Sequence, residues 1–453
     1  MRRDKMMLAL LPALCLVFSA VLSAEDAAGT LPVTWDENAT AESLGLEPLV
    51  LPDDFYPLYP WDRISWCAPF GQTEDEGLKM IAECAFPMSA FVGERNMETC
   101  KNLGFRYILL DLGAGCDLTK ISDEQADELV RKMVASTKDD PTVLGYSIID
   151  EPNVHQFPGL AKIVAAVKKH APGKLAYINL FPDCGTRLPP EVESHTQAHS
   201  YTEYLERYVQ EVKPQFLSYD NDQVEYSEDM SNPDRAANYW ESMFEIRRIA
   251  QKYNLPWWNI VGSVAIRETS SPPSVSRIAF QAYTSLAAGA NGLGWFLFYS
   301  VGDSYNEFDF SPIDKIHERT ITWNFLRDVN EQTFVLGKIL NRFGSTNVWF
   351  SQPTDKLPGN PGDLLNGVNI AYQEEITDVA GTPSVMVGEF KAKEGTQKAV
   401  MVVNLDFGRS ITASLDLKEP GTIQAVNPLT GTSYTPRQRE WILPAHGLLF
   451  LID

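Results

Sequence analysis

The 453-residue chain has few of the residues that build metal sites and basic surfaces. It has six histidines and six cysteines, and no His-Glu-x-x-His or Cys-x-x-Cys pattern that would bind zinc. Basic residues are also scarce, since 38 Lys and Arg stand against 60 Asp and Glu, which gives a formal net charge of −22. This imbalance argues against nucleic acid and anionic membranes as partners. The sequence therefore predicts no metal site and no cofactor.

Long apolar runs are missing after the first 24 residues, so no later segment is expected to span a membrane. The start has the pattern of a secretory signal peptide. Arg2, Arg3 and Lys5 precede a hydrophobic stretch at 6–21, and small residues follow at 22–24. We expect cleavage near residue 24 and a soluble protein that is secreted or periplasmic.

Five cysteines follow the signal peptide: Cys67, Cys84, Cys100, Cys116 and Cys184. Their odd number and irregular spacing do not indicate a disulfide framework. One or two disulfides and a set of scattered buried thiols both remain open.

Short apolar runs alternate with amphipathic stretches from residue 64 to about residue 300. The apolar runs predict strands at 64–68, 88–92, 106–112, 144–149, 174–180, 216–219, 259–264 and 292–298. The stretches between them predict helices at 124–136, 160–170, 201–212, 234–253, 276–288 and 315–342. Eight strands with helices between them predict an α/β fold, the (β/α)8 TIM barrel. A doubly wound sheet also alternates, but no glycine-rich phosphate turn follows the first strand.

The pattern changes after residue 343. A loop rich in proline, glycine and aspartate leads to strand-like segments at 384–391, 399–404, 410–417, 423–427 and 447–452. They predict a C-terminal all-β sandwich domain. The expected organisation is a signal peptide at 1–24, an N-terminal arm at 25–58, a barrel at 59–343 and the β-sandwich at 344–453.

In a TIM barrel the functional residues follow the strands at their C-terminal ends. The residues at these positions are Trp66 for strand one, Asp150, Glu151 and Asn153 for strand four, Asn179 for strand five, Tyr219 and Asp220 for strand six, Glu268 for strand seven, and Trp295 and Tyr299 for strand eight. This predicted mouth is acidic and aromatic.

Paired carboxyl groups beside aromatic rings suit the cleavage of glycosidic bonds. One carboxyl group protonates the leaving oxygen, while the other attacks the anomeric carbon or activates water. Tryptophan and tyrosine present apolar faces to sugar rings and hydrogen-bond through their polar tips. Glu151 is the predicted general acid/base, with Glu268 or Asp220 as the second carboxylate. The other groups of the mouth are predicted to bind the substrate.

A family resemblance supports this interpretation. Gly145-Tyr-Ser-Ile-Ile-Asp-Glu-Pro152 resembles the fourth-strand motif of clan A glycoside hydrolases, which usually reads Asn-Glu-Pro and whose Glu is the acid/base. The segment 283–296 is similar to the seventh helix and eighth strand of family 42-like β-galactosidases and related barrels. The tail segments at 426–431 and 444–450 resemble the C-terminal β-domains of such enzymes.

Two positions depart from the family pattern. Asp150 stands where the family has an asparagine that contacts the sugar 2-hydroxyl; it either contacts substrate or caps the following turn. The family nucleophile is a glutamate at the end of strand seven, and here Glu268 lies several residues beyond the apparent strand end. Glu268 is either the nucleophile or a loop charge paired with Arg267, and in the second case Asp220 is the better partner for Glu151.

Trp66 and Trp295 are equally consistent with sugar platforms and with core packing. The leading hypothesis is a secreted glycoside hydrolase acting on an oligo- or polysaccharide, with a β-galactoside or β-glucoside favoured by the resemblance. The alternative is a catalytically inactive barrel that binds carbohydrate.

Overall fold

The computed structural model describes residues 35–61, 74–112, 115–186, 194–221, 239–266, 272–300, 308–372 and 382–453. The predicted signal peptide, strand 64–68, Trp66, Cys67 and Glu268 lie outside these residues. Among the described residues, no helix is long and apolar enough to cross a membrane. Cys84, Cys100 and Cys116 are free thiols.

The helices of the described residues are α1 (Ala41–Leu44), α2 (Glu74–Glu83), α3 (Met97–Asn102), α4 (Asp123–Met133), α5 (Phe157–His170), α6 (Tyr201–Arg207), α7 (Tyr239–Lys252), α8 (Val275–Ala288) and α9 (Ile321–Leu340). Local side chains fix several of their ends. Ser122 and Gln125 form a capping box at the start of α4. At α9 the side chain of Thr320 accepts from the Thr322 N–H, so this helix begins six residues later than the predicted 315.

The parallel strands are β1 (Leu58–Pro60), β2 (Met88–Val92), β3 (Tyr107–Asp111), β4 (Val143–Asp150), β5 (Leu175–Asn179), β6 (Leu217–Asp220), β7 (Trp257–Gly262) and β9 (Gly292–Phe296). They form two four-stranded sheets in the orders β2-β3-β4-β5 and β1-β9-β7-β6. The first parallel strand therefore lies at Leu58–Pro60, before the segment predicted from sequence. A short antiparallel pair joins β8 (Ala265–Ile266) to β10 (Phe308–Asp309).

The two parallel sheets meet at β5 and β6. The Leu180 N–H donates to the Ser218 carbonyl at 2.9 Å, and the Asp220 N–H donates to the Leu180 carbonyl at 3.2 Å. Side chains from both sheets fill a common interior, in which the Trp258 ring lies 4.6 Å from Phe216 and 5.7 Å from Tyr59. The strands consequently present their C-terminal ends on the same side of the molecule.

The C-terminal part is antiparallel and consists of β11 (Phe343–Phe350), β12 (Leu365–Tyr372), β13 (Val385–Ala392), β14 (Lys398–Asn404), β15 (Ile411–Leu417), β16 (Ile423–Val426), β17 (Ser433–Tyr434), β18 (Glu440–Ile442) and β19 (Gly447–Ile452). A six-stranded sheet has the order β11-β13-β14-β19-β16-β17, and a three-stranded sheet has the order β12-β15-β18. Val387 and Val402 of the larger sheet pack with Ile411 and Ile442 of the smaller one. This is the packing that a sandwich requires.

The opposite face of the six-stranded sheet packs against α8. Met386 and Phe390 of β13 belong to the same core cluster as the α8 side chains. Gly388 lies between them on β13, where a Cβ atom would stand 2.1 Å from the Ala287 carbonyl oxygen. The absence of a side chain at Gly388 allows this close approach of strand to helix.

Candidate functional site

Three acidic or amide side chains lie at the ends of three adjacent parallel strands. Asp150 ends β4 and is the register partner of Asn179 on β5. Asp220 ends β6, which is joined to Leu180, the residue after Asn179. Because parallel strands end at the same edge, Asp150, Asn179 and Asp220 come together there. We call this edge the mouth.

Glu151 follows β4 directly, and its backbone is held on both sides. Its N–H donates to the Asn179 carbonyl at 2.9 Å, and the Tyr204 hydroxyl donates to the carbonyl of Pro152 at 2.7 Å. The φ angle of Glu151 is +48°, in the left-handed region that residues other than glycine rarely occupy. Such conformations persist where the surroundings enforce them, and they cluster at functional sites. The half-buried Glu151 is therefore fixed in place at the mouth.

A chain of side-chain hydrogen bonds runs from the interior to Asp150. The Tyr59 and Tyr177 hydroxyls are 2.9 Å apart, and Tyr177 and Ser218 are also 2.9 Å apart. The Ser218 hydroxyl donates to Asn179 Oδ1 at 3.0 Å, and Asn179 Nδ2 donates to Asp150 Oδ1 at 3.1 Å. The four side chains before Asp150 are fully buried. The interior and the mouth are thus connected by one continuous network.

Burial determines the protonation state of this network. It raises the pKa of Tyr59 and that of Tyr177 far above the usual value for tyrosine, because the phenolate form loses its hydration. The charges of Asp220 and Asp150 also raise the pKa of Tyr59. Both tyrosines are therefore neutral, and both carboxylates act on the same hydroxyl group.

Three residues predicted to bind substrate are fully buried. The Tyr219 hydroxyl accepts from Asn221 Nδ2 at 3.1 Å. The Trp295 indole N–H donates to Asn330 Oδ1 of α9 at 2.9 Å, and the Tyr299 hydroxyl donates to the Gly77 carbonyl at 3.0 Å. The bonds of Trp295 and Tyr299 connect the end of β9 and the residues after it to α9 and α2.

Asn153 lies near the mouth, and its side chain caps a short 3₁₀ helix at Val154–Gln156. Its Oδ1 accepts from the His155 N–H at 3.0 Å, and the Gln156 side-chain oxygen accepts from the Asn153 N–H at 2.9 Å. Asn153 therefore supports the turn that follows Glu151.

Sequence reasoning missed Tyr59, Tyr177, Ser218 and Tyr204. A signal existed for two of them, because alternate residues of a strand face the same side. Tyr177 lies two residues before Asn179, and Ser218 lies two residues before Asp220. The same alternation accounts for the burial of Tyr219, which is adjacent to Asp220 and faces the opposite way.

The mouth offers carboxylates, an amide and neutral hydroxyls. Within the ranges that the structure describes, no group of three or more His, Cys, Asp or Glu side chains could hold a metal ion. The arrangement is suited to proton transfer and to hydrogen bonding with hydroxyl groups.

Solved structures show where else this architecture occurs. A glycoside hydrolase family 5 protein from Bacteroides vulgatus matches with a TM-score of 0.53 and 12% identity, over 92% of this chain and 95% of that one. A β-galactosidase from Bacillus circulans sp. alkalophilus matches with a TM-score of 0.55 and 9% identity, over 88% of this chain and 99% of that one.

A β-galactosidase from Marinomonas ef1 matches over 62% of this chain and 60% of that one, with 8% identity and a TM-score of 0.44. No family model and no curated protein matches the sequence. At these low identities the likeness concerns the fold alone. The predicted resemblance to clan A glycoside hydrolases is confirmed at that level.

Proposed function

We propose that this protein is a glycoside hydrolase whose two parallel sheets close into a (β/α)8 barrel and whose Glu151 is the general acid/base. The observation that carries the proposal is the position of Glu151, held by two backbone hydrogen bonds at the C-terminal end of β4 beside Asp150. Catalytic groups of such barrels occupy these ends. The likeness to the two glycoside hydrolase folds supports the same assignment.

The second carboxylate of the proposal is Asp220 or Glu268. Asp220 is supported by its place at the mouth, two strands away from Asp150. Glu268 lies outside the described residues and is supported by the family resemblance. The proposed substrate is an oligo- or polysaccharide, with a β-galactoside or β-glucoside favoured. Asp150 would hydrogen-bond its hydroxyl groups.

The direct test is hydrolysis of a panel of β-linked oligosaccharides by the protein and by its Glu151→Gln variant. We expect cleavage by the wild-type protein and a loss of about 10²–10⁴-fold in kcat for the variant, the range for removing a general acid. Glu128→Gln is the matched control, because Glu128 lies on α4 and pairs with Arg131 on the surface. Wild-type turnover by Glu151→Gln would contradict the assignment.

An inactive carbohydrate-binding protein is the second candidate. It is favoured by one observation: β7 and the residues after it up to Ile266 contain no carboxylate at the place of the family nucleophile. Binding of glycans without cleavage of any member of the panel would support this candidate over the hydrolase.

Export is the proposed location, on the basis of the signal-like sequence at 1–24. Expression of the full chain in a host with a secretory pathway, followed by N-terminal sequencing of the product, tests it. A mature N-terminus near residue 25 is expected, and a product that starts at Met1 in the cytoplasm would contradict it.

A further inference from the structure

We infer that Asn179 is a positioning residue, whose carboxamide is oriented by the hydroxyls of Tyr59, Tyr177 and Ser218 so that it holds Asp150 as a hydrogen-bond acceptor beside Glu151. This inference rests on the proposed function and extends it, because Asp150 is proposed to hydrogen-bond the substrate that Glu151 cleaves. The four hydrogen bonds of the chain, from 2.9 to 3.1 Å, carry the argument.

The hydrogen bonds from Tyr59 to Asp150 run in one direction, because each hydroxyl group has a single proton to donate. Ser218 gives its proton to Asn179 Oδ1, so its oxygen accepts from Tyr177. Tyr177 then has no proton left for Tyr59 and accepts from it instead. Since burial keeps both tyrosines protonated, no member of the chain lacks its proton.

The orientation of the Asn179 amide sets this direction. Oδ1 is taken by Ser218, so the NH₂ group points to Asp150 Oδ1 at 3.1 Å. The reverse direction would place the amide oxygen against Asp150 and would require a proton on that carboxyl group. The observed direction therefore favours Asp150 as the carboxylate.

A fixed carboxylate at Asp150 has two consequences for a reaction at the mouth. Its exposed oxygen accepts a hydrogen bond from a substrate hydroxyl. Its negative charge stands beside Glu151, and a neighbouring like charge favours the protonated form that a general acid needs. The asparagine usual in the family supplies an amide there, whereas Asp150 supplies a carboxylate that receives a hydrogen bond from Asn179 behind it.

Other titratable groups near Asp150 come from three elements. Glu151 follows it directly after β4. Asp220 lies on β6, and its charge, like that of Asp150, raises the pKa of Tyr59. The pKa of Tyr204 on α6 is raised by burial and also by the charges of Glu151 and Asp150. A titration of Asp150 must therefore be compared between variants that leave all of these groups in place.

The experiment is an NMR titration of the Asp150 side-chain carboxyl carbon in the full-length protein, without substrate. The resonance is assigned by its loss in Asp150→Asn. We expect Ser218→Ala and Tyr177→Phe to raise the midpoint of the Asp150 titration by about 0.5–1 pH unit, because the donor to its carboxylate is no longer held. Ser218→Thr keeps the hydroxyl and should restore the wild-type midpoint.

Tyr56→Phe is the matched control. Tyr56 is buried like Tyr177, but its hydroxyl donates to the Ala290 carbonyl at 3.1 Å. It takes no part in the hydrogen bonds that run from Tyr59 to Asp150. We expect this variant to leave the Asp150 midpoint unchanged. Should Ser218→Ala fail to fold, Tyr177→Phe and Tyr59→Phe test the same hydrogen-bond network.

An Asp150 midpoint that does not move in folded Ser218→Ala and Tyr177→Phe would overturn the inference. An equal shift in Tyr56→Phe would also overturn it, since it would show a general effect of core substitution. Failure of the proposed function is seen separately, as the absence of any glycoside cleavage by wild-type protein. In an active enzyme, Ser218→Ala should lower kcat/KM about 3–10-fold, and Ser218→Thr should recover it.

Discussion

Trp295 is fully buried, and its indole N–H donates to Asn330 Oδ1 on α9. Asn330 in turn donates through Nδ2 to the Cys84 carbonyl, so the pair connects β9, α9 and the end of α2. A buried polar group that loses its partner costs about 1–3 kcal/mol. At the residue scale, Trp295 is therefore a structural residue.

Trp295→Phe is predicted to lower the free energy of unfolding by about 1–3 kcal/mol, because it removes the donor to Asn330 and leaves a gap beside α9. KM for a cleaved glycoside should not change. Chemical denaturation and steady-state kinetics measure the two quantities. Trp441→Phe is the control, since Trp441 is 61% exposed on β18 and its replacement should change stability little. A raised KM with unchanged stability would instead mean that Trp295 contacts substrate.

Part of the mouth could be predicted from sequence at this scale. Glu151, Asp150, Asn179 and Asp220 each end or follow an apolar run, and strand ends are readable from that pattern. The direction of a side chain is harder to predict, because a shift of one residue turns it to the other face. The sequence pattern predicts Tyr219 in the site because it is adjacent to Asp220 at the strand end. Its side chain is buried, since neighbouring residues of a strand face opposite sides.

At the scale of elements, α8 is the helix most completely enclosed by its neighbours. All its residues from Ile278 to Ala288 are buried, since β7, α7 and α9 contact it on one part of its surface and the six-stranded sheet on another. Gly289 ends it with φ +88°, and a Cβ atom there would stand 2.6 Å from the Ser345 Cβ. Gly289 thus allows the end of α8 to lie close to β11, and Gly388 allows β13 to lie close to α8.

Gly388→Ala is predicted to destabilise the protein by roughly 1–3 kcal/mol, because the added methyl group collides with the Ala287 carbonyl and separates β13 from α8. Thermal or urea unfolding measures the change. Gly367→Ala on β12 is the matched control, since its Cβ atom would meet no atom within 4 Å. Equal stability of the two variants would contradict the packing described.

Most elements could be predicted because their signals are local. Seven predicted parallel strands and the five predicted C-terminal strands coincide with observed strands within a few residues. The first parallel strand was missed because Leu58–Pro60 is short and ends in proline, so propensity does not favour it. It is a strand because it pairs with β9, which is a tertiary contact.

At the scale of the whole molecule, the C-terminal sheets and the parallel sheets share one hydrophobic core. The six-stranded sheet contributes Met386, Met401 and Leu449 to the cluster that contains the α8 residues. His446 lies at this contact, where its ring is 5.4 Å from the Tyr283 ring of α8. Its Nδ1 lies 2.8 Å from the Pro444 carbonyl, to which it donates in the tautomer with a proton on Nδ1.

The buried His446 gives this contact a predicted pH dependence. Burial lowers the pKa of His446, and its hydrogen bond to Pro444 offsets this only in part. The unfolded chain, where the pKa is about 6.5, therefore binds a proton more readily than the native protein. The contribution to stability is full above the unfolded pKa and is lost as pH falls from that value through the lower pKa of the native protein.

We predict that the native protein loses about 1 kcal/mol more stability between pH 7.5 and 5.5 than His446→Gln does, because glutamine does not titrate. Urea unfolding at both pH values measures the difference between the two proteins, so other histidines cancel. Parallel loss of stability in both proteins would show that His446 is not the responsible group.

The sequence indicated the two parts of the chain but not how they join. Alternating apolar runs predict sheets and helices, whereas the contact of the six-stranded sheet with α8 depends on which face of β13 is turned to the helix. β13 is apolar on both faces, with Val387 turned to one and Met386 to the other, so its pattern does not distinguish them. The place of Asp220 at the mouth with Asp150 is equally beyond local patterns, because β4 and β6 are distant in sequence.

The central claim is that Glu151 donates the proton to the leaving group. It is tested most directly by comparing wild-type protein and Glu151→Gln on aryl glycosides of one sugar whose leaving phenols differ in pKa. A general acid matters least when the leaving group is already a stable anion. We predict that kcat/KM of the variant falls less than about tenfold for a dinitrophenyl glycoside and more than about 10³-fold for an unactivated alkyl glycoside. Equal losses for both substrates would contradict the assignment of Glu151 as the acid.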